Sequence, residues 1–146
     1  MTKNQTATRI LSVLAALLLL ITSLTACSGG ITREEAETAM DSLLVALDNE
    51  NYAEAAALYH PDAAMTEELL AAFAEQVKTK VGIDLTEGAT VEKITGISSS
   101  YYDSTVGGSR YELTAKIKAG DKTADHTVEV IRNDRGYGIF KVECNQ

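Results

Sequence analysis

The stretch Arg110-Tyr111-Glu112-Leu113-Thr114-Ala115-Lys116-Ile117-Lys118 decides the fold, because its polarity alternates strictly with a period of two. Successive side chains on a strand point to opposite faces, so Tyr111, Leu113, Ala115 and Ile117 share one face and their charged or hydroxylated neighbours share the other. A half-buried strand is predicted here. The same period extends in both directions. Upstream, Val91 to Tyr102 reads as a strand whose alternation slips at Gly96, as a β-bulge would make it. Gly107-Gly108 then reads as a hairpin loop. Downstream, Ala119-Gly120-Asp121-Lys122 is a turn into Thr123–Arg132, where Val128 and Val130 point one way. Asn133-Asp134-Arg135-Gly136 turns again into Tyr137–Glu143. Four strands joined in sequence by short turns predict an antiparallel meander.

Ahead of the strands the period is that of a helix. Thr32 followed by Glu35 is a capping box, and behind it Ala36, Met40, Leu43, Leu44 and Leu47 recur at spacings of three and four. Asn51 with Glu54 caps a short second helix carrying Tyr52, Ala55, Ala56 and Tyr59, and Pro61 stops it at His60. Thr66 caps a third, with Met65 and Leu70 at the positions of a hydrophobic staple. Its stripe is Leu69, Leu70, Phe73, Val77 and Val81; Lys78 and Lys80 suit its C-terminal dipole, and Gly82 ends it. Helices first and strands second predict an α+β domain in which three N-terminal helices cover one face of a curved four-stranded antiparallel sheet.

The N-terminus is of another kind. Lys3 and Arg9 precede a run from Ile10 to Leu24 broken only by Ser12, Thr22 and Ser23. That run is shorter than the roughly 20 apolar residues a spanning helix needs, and it fits a secretory signal peptide over residues 1–26. Its end, Leu24-Thr25-Ala26-Cys27, resembles the lipobox of bacterial lipoproteins. The resemblance implies cleavage between Ala26 and Cys27, with the Cys27 thiol carrying a diacylglycerol in thioether linkage and the acyl chains holding the chain to the membrane. An ordinary signal peptide cut near Ala26, leaving Cys27 as a structural cysteine, is the alternative. Residues 27–31 form the lipidated cysteine and a short glycine-rich tether, and residues 32–146 form the domain. At ~3.3–3.6 Å per residue the tether keeps the domain within roughly 15–20 Å of the bilayer.

Removal of residues 1–26 takes away Lys3 and Arg9 and no acid, so the formal net charge of −8 becomes −10. Such a domain repels nucleic acid and anionic lipid headgroups within a Debye length of about 8–10 Å. Membrane association is therefore expected through the lipid on Cys27, and nucleic acid is not an expected partner. With Cys27 used by the lipid, Cys144 has no partner in the chain. Its phase with Phe140 and Val142 points to burial. The charged outward positions Arg110, Glu112, Lys116, Lys118, Glu129, Lys141 and Glu143 predict a monomer, since lasting interfaces deplete charge at their centre.

Met40–Leu47, then Asn49-Glu50-Asn51-Tyr52 and Ala53–Tyr59, resemble the opening of small lipoproteins in the cystatin-like, nuclear-transport-factor-two-like superfamily. In these a first helix ends in an acid-aromatic corner and a second carries alanines before an aromatic residue. Thr66-Glu67-Glu68-Leu69 and the final aromatic-apolar strand continue the match, which covers most of Thr32 to Glu143. The resemblance implies a curved sheet wrapping a long helix, sometimes with a pocket inside the cone. It implies a shape and no particular reaction.

Residues with catalytic potential are few. His60, before Pro61, is expected in a solvated loop. His126 is in phase with Val128 and Val130 and faces inward, either as a satisfied core histidine or as a ligand or general base. No His or Cys spacing suggests a metal, no G-x-S-x-G elbow occurs, and no cofactor is implied. The carboxylates Glu34, Glu35, Glu37, Glu67 and Glu68 lie where helix starts need them. Tyrosines in strands pack on a pleated surface or line a pocket. If the cone is hollow, its lining is expected to be Tyr52, Tyr59, Tyr111 and His126. These readings predict an extracytoplasmic, non-enzymatic binding or interaction module with a protein or small-molecule ligand. The alternatives are a small enzyme using a pocket in the cone and an accessory subunit of an envelope complex.

Overall fold

The computed structural model describes residues 29–101 and 106–145, so the expected signal peptide, the Ala26–Cys27 cleavage point and Tyr102 lie outside the described residues. Helix α1 spans Arg33–Asp48. Its capping box is formed: Glu35 N–H donates to Thr32 Oγ1 at 3.2 Å, and Thr32 N–H donates to the Glu35 carboxylate at 2.8 Å. The expected stripe, joined by Ala46, is buried along its length. Helix α2, Tyr52–Ala57, starts from an Asn51 cap. A single 3-10 turn, Pro61–Ala63, leads to helix α3, Glu67–Gln76, capped by Thr66. One π-helical turn, Val77–Val81, then ends at Gly82 with φ 81°. Leu70 and Val77 are buried, and Phe73 and Val81 pack against the core. Leu69, expected in the same stripe, is 54% exposed, because it sits about 100° around the helix from Leu70.

Strands β1 (Thr90–Tyr101), β2 (Ser109–Ala119), β3 (Lys122–Asn133) and β4 (Gly136–Asn145) form one antiparallel sheet in the order β1-β2-β3-β4. The molecule is therefore α+β, three helices with a four-stranded antiparallel meander. Tyr111, Leu113, Ala115, Ile117 and Ala119 of β2 face a core completed by Ala124, Val128 and Val130 of β3, Ile139 of β4 and the α1 stripe. Helix α1 contacts β1, β2 and β3. Burying the leucine, isoleucine and valine side chains among these is worth about 1.5–3 kcal/mol each, which is why the two-residue period of β2 specifies the sheet face.

Three expectations are corrected. His60 is 1% exposed and not solvated. After α2 the chain runs extended along β4, with His60 N–H donating to the Ile139 carbonyl at 2.8 Å and Ile139 N–H to the Leu58 carbonyl at 2.9 Å. The crossing carries the imidazole under the β3–β4 turn. There Nδ1 accepts from Asp62 N–H at 3.1 Å and Nε2 lies 2.9 Å from Asn133 Oδ1, so the proton is on Nε2. Second, Phe140 is not in phase with Val142 and Cys144. Val142 pairs with Val128 and Ile139 with Val130, so Phe140 falls in a bulge and the inward row is Ile139, Val142, Cys144. Cys144 is half-buried, at the end of an edge strand. Third, Glu129 occupies an outward position as expected but is only 5% exposed, covered by Arg110 at 2.7 Å.

Candidate functional site

Helix α1 carries a second stripe beside the one that enters the core. Arg33, Glu37, Met40, Asp41, Leu44 and Val45 fall at positions i, i+4, i+7, i+8, i+11 and i+12, sharing Met40 and Leu44 with the buried stripe. This stripe is the wall of an open cleft of about 540 Å³ whose other side is Ala89, Thr90, Val91 and Ile94, with Leu113 at its floor. The volume lies within the range of roughly 300–1,000 Å³ typical of ligand sites.

Bulges in β1 supply the opposite wall. The register slips between Val91 and Lys93 and again between Ile94 and Gly96, so Val91 faces Ile117, Ile94 faces Ala115 and Ile97 faces Leu113. All three partners are inward-facing core residues. Two extra residues thus turn a spacing of three into one continuous inner row, which regular pairing continues through Ser99 opposite Tyr111 and Tyr101 opposite Ser109. Helix α1 covers only part of this row. Val91 and Ile94 are half-buried, whereas Ile97 is 56% and Tyr101 75% exposed. Val45 on the facing helix is 59% exposed.

The rim of the cleft is charged. Arg33 Nε donates to Glu37 Oε1 at 2.5 Å, and this pairing holds the guanidinium above its ordinary range. The Asp41 carboxyl is pushed up by burial and then by the neighbouring Glu37 charge. Among the described residues no cation forms an ion pair with Asp41. The rim therefore offers one compensated ion pair and one carboxylate whose negative charge is unmatched.

None of the four pocket residues expected from the sequence lines this cleft. Tyr59 and Tyr111 are buried in the core, Tyr52 packs against its edge and His126 is fully buried. His126 lies opposite Ala115 and Cys144 in the sheet, with the Phe73 ring tilted 55° at 6.3 Å. Neither of its ring nitrogens, nor the Tyr59 hydroxyl, has a hydrogen-bond partner among the described residues. Burial lowers the His126 pKa to about 4 and raises that of Tyr59. His126 is a neutral imidazole enclosed in the core.

A second polar cluster sits where the chain enters the domain. Arg132 Nη2 pairs with Glu35 at 2.6 Å, its guanidinium lies 4.8 Å from the Tyr137 ring centroid, and Nη1 reaches the Gly29 and Gly30 carbonyls at 3.5 and 3.4 Å. Tyr137 donates to the Glu35 carbonyl at 3.1 Å, and its pKa is pushed up to about 12 by burial and then by Glu35. These contacts, with buried Ile31, hold the chain from Gly29 onward.

Sequence reasoning missed the cleft because its helix stripe is half polar and its strand row has a spacing of three. Val45, an apolar residue off the buried stripe of α1, was the signal available. Among the described residues no group of three or more His, Cys, Asp or Glu side chains is placed to hold a metal ion, and no helix is long and apolar enough to cross a membrane. No family model, curated protein or solved structure matches the chain.

Proposed function

We propose that the chain is an exported lipoprotein, anchored by acyl chains on Cys27, whose cystatin-like α+β domain acts as a monomeric, non-enzymatic binding module. The α1–β1 cleft is its recognition surface. The observation that carries this reading is the cleft itself: exposed Val45 and half-buried Ile94 stand at its mouth, above a buried apolar floor of Met40, Leu44 and Leu113 and beside a rim of Arg33, Glu37 and Asp41. Soluble domains bury such surface unless something else covers it. The lipobox at Leu24-Thr25-Ala26-Cys27 supports the anchor, and the acidic balance leaves membrane attachment to the lipid. His126 lies away from the cleft lining, so the enclosed imidazole takes no part in recognition.

Two measurements test the reading. Detergent-phase partitioning and N-terminal mass spectrometry should find the wild-type protein cleaved before Cys27 and acylated, and Cys27→Ala neither. Nile red should fluoresce on the folded chain and lose that signal in Val45→Glu and in Thr90→Trp, which place charge or bulk in the cleft. An unacylated wild-type Cys27 refutes the anchor, and dye binding indifferent to both substitutions refutes the cleft.

A further inference from the structure

The proposed recognition surface adjoins a second feature. β1 is an edge strand, hydrogen-bonded to β2 on one side only. Among the described residues nothing pairs with its other side, so alternate N–H and C=O groups along Thr90–Tyr101 point away from the sheet. Proteins commonly blunt such edges with charge, proline, bulges or a covering segment. The opposite edge shows one such device, since Leu58–His60 hydrogen-bonds to Ile139 of β4. In β1 the two bulges and the charges of Glu92 and Lys93 occupy the first half. The second half, Gly96-Ile97-Ser98-Ser99-Ser100-Tyr101, pairs regularly with β2 and carries neither charge nor proline. Its inward row, Ile97 and Tyr101, is exposed and leads into the cleft beside α1.

We infer that the occupant of the cleft is an extended peptide that adds to the free edge of β1 as a fifth strand, with apolar side chains toward the cleft and a basic residue for Asp41. This rests on the cleft being the recognition surface and names its ligand class. Main-chain hydrogen bonds to an open edge give such binding its affinity, and alternate side chains lodged in adjoining pockets give it specificity. An added strand lies about 4.8 Å beyond β1, and its inward side chains project toward the α1 wall. There an apolar side chain meets Val45, Leu44 and Ile94, and a Lys or Arg meets Asp41 and Glu37. The charge rule follows from the rim. Arg33 is already compensated by Glu37, which leaves the Asp41 carboxylate as the unmatched charge. A second copy of the chain is a poorer occupant. A two-fold pair of edges would bring together two copies of formal net charge −8 and supply no basic excess for Asp41.

The test uses the full-length chain in detergent micelles and a capped octapeptide with valine at positions 1, 3 and 7, lysine at position 5 and threonine at the even positions, so that valine and lysine share one face. Glutamate-for-lysine and alternately N-methylated versions are the controls. Fluorescence anisotropy should give at least tenfold tighter binding to the lysine peptide than to the glutamate peptide. N-methylation, which removes donors to the edge, should abolish it. Asp41→Lys should reverse the lysine–glutamate preference, whereas Glu50→Lys, the same charge change away from the cleft, should not. Amide hydrogen exchange should slow across residues 96–101 on binding. Equal binding of the N-methylated peptide, equal response to Asp41→Lys and Glu50→Lys, or no binding at all overturns the inference. Protection of residues 96–101 by phosphatidylcholine vesicles and not by peptide would assign the row to a lipid surface and also overturn it. Nile red binding that survives while peptide binding fails removes the peptide assignment alone; loss of both removes the cleft as a recognition surface.

Discussion

His126→Leu should flatten the acid side of the stability profile. The imidazole is fully buried, and no partner among the described residues reaches either nitrogen, so its protonated form would be an unpaired charge in the core. Burial lowers its pKa from 6.5 to about 4. Between those two values the unfolded chain binds a proton that the folded chain refuses, so stability rises with pH across this window and falls as the pH drops through it. Below the folded value both states are protonated and the contribution is constant. The interval of about 2.5 units, at 1.36 kcal/mol per unit, amounts to roughly 3 kcal/mol lost between about pH 7 and about pH 4. Leucine keeps an apolar side chain at the site and removes the proton. Asp62, Asp84 and Glu35, whose carboxyls are held low by Arg135, Lys78 and Arg132, also lose stabilisation in acid, but they do so equally in both proteins. The difference between the two profiles therefore isolates His126. Urea unfolding followed by far-ultraviolet circular dichroism suits a chain with no tryptophan. Wild-type and variant curves that fall in parallel, within about 0.5 kcal/mol, would show that the imidazole is satisfied or hydrated when folded and would refute the argument.

Gly138→Ala should destabilise the domain by about 1–3 kcal/mol in chemical denaturation, the worth of two backbone hydrogen bonds. A Cβ there would stand 2.5 Å from His60 N and 2.8 Å from Tyr59 C, where the Leu58–His60 segment crosses β4. A loss below about 0.5 kcal/mol would mean that the crossing yields without breaking those bonds. Cys144, whose pKa burial pushes from 9.0 up to about 11, should react with a disulfide reagent about a hundredfold more slowly in the native protein than in urea. Equal rates would place the thiol in open solvent.

The elements were legible where one local rule governs them. The capping pairs Thr32–Glu35 and Asn51–Glu54 mark helix starts because the side chain that satisfies the first free N–H groups is three residues away in the chain. The alternation in β2 specifies its buried face because a central strand has a different environment on each side. The resemblance of Leu24-Thr25-Ala26-Cys27 to a lipobox is likewise a sequence reading, and the proposal of export and of an anchor at Cys27 rests on it. Tertiary structure decided what depends on contacts between distant residues. Bulge positions follow from the register between strands, so only β2 reveals that Val91, Ile94 and Ile97 form one row, and only β3 reveals that Phe140 is left out of another. His60 reads as a loop residue until β4 and Asn133, 73 residues later, close over it. The cleft exists because α1 is too narrow to cover an edge strand as well as the core. No local pattern encodes where one element leaves another uncovered, because that is a property of the gap between them.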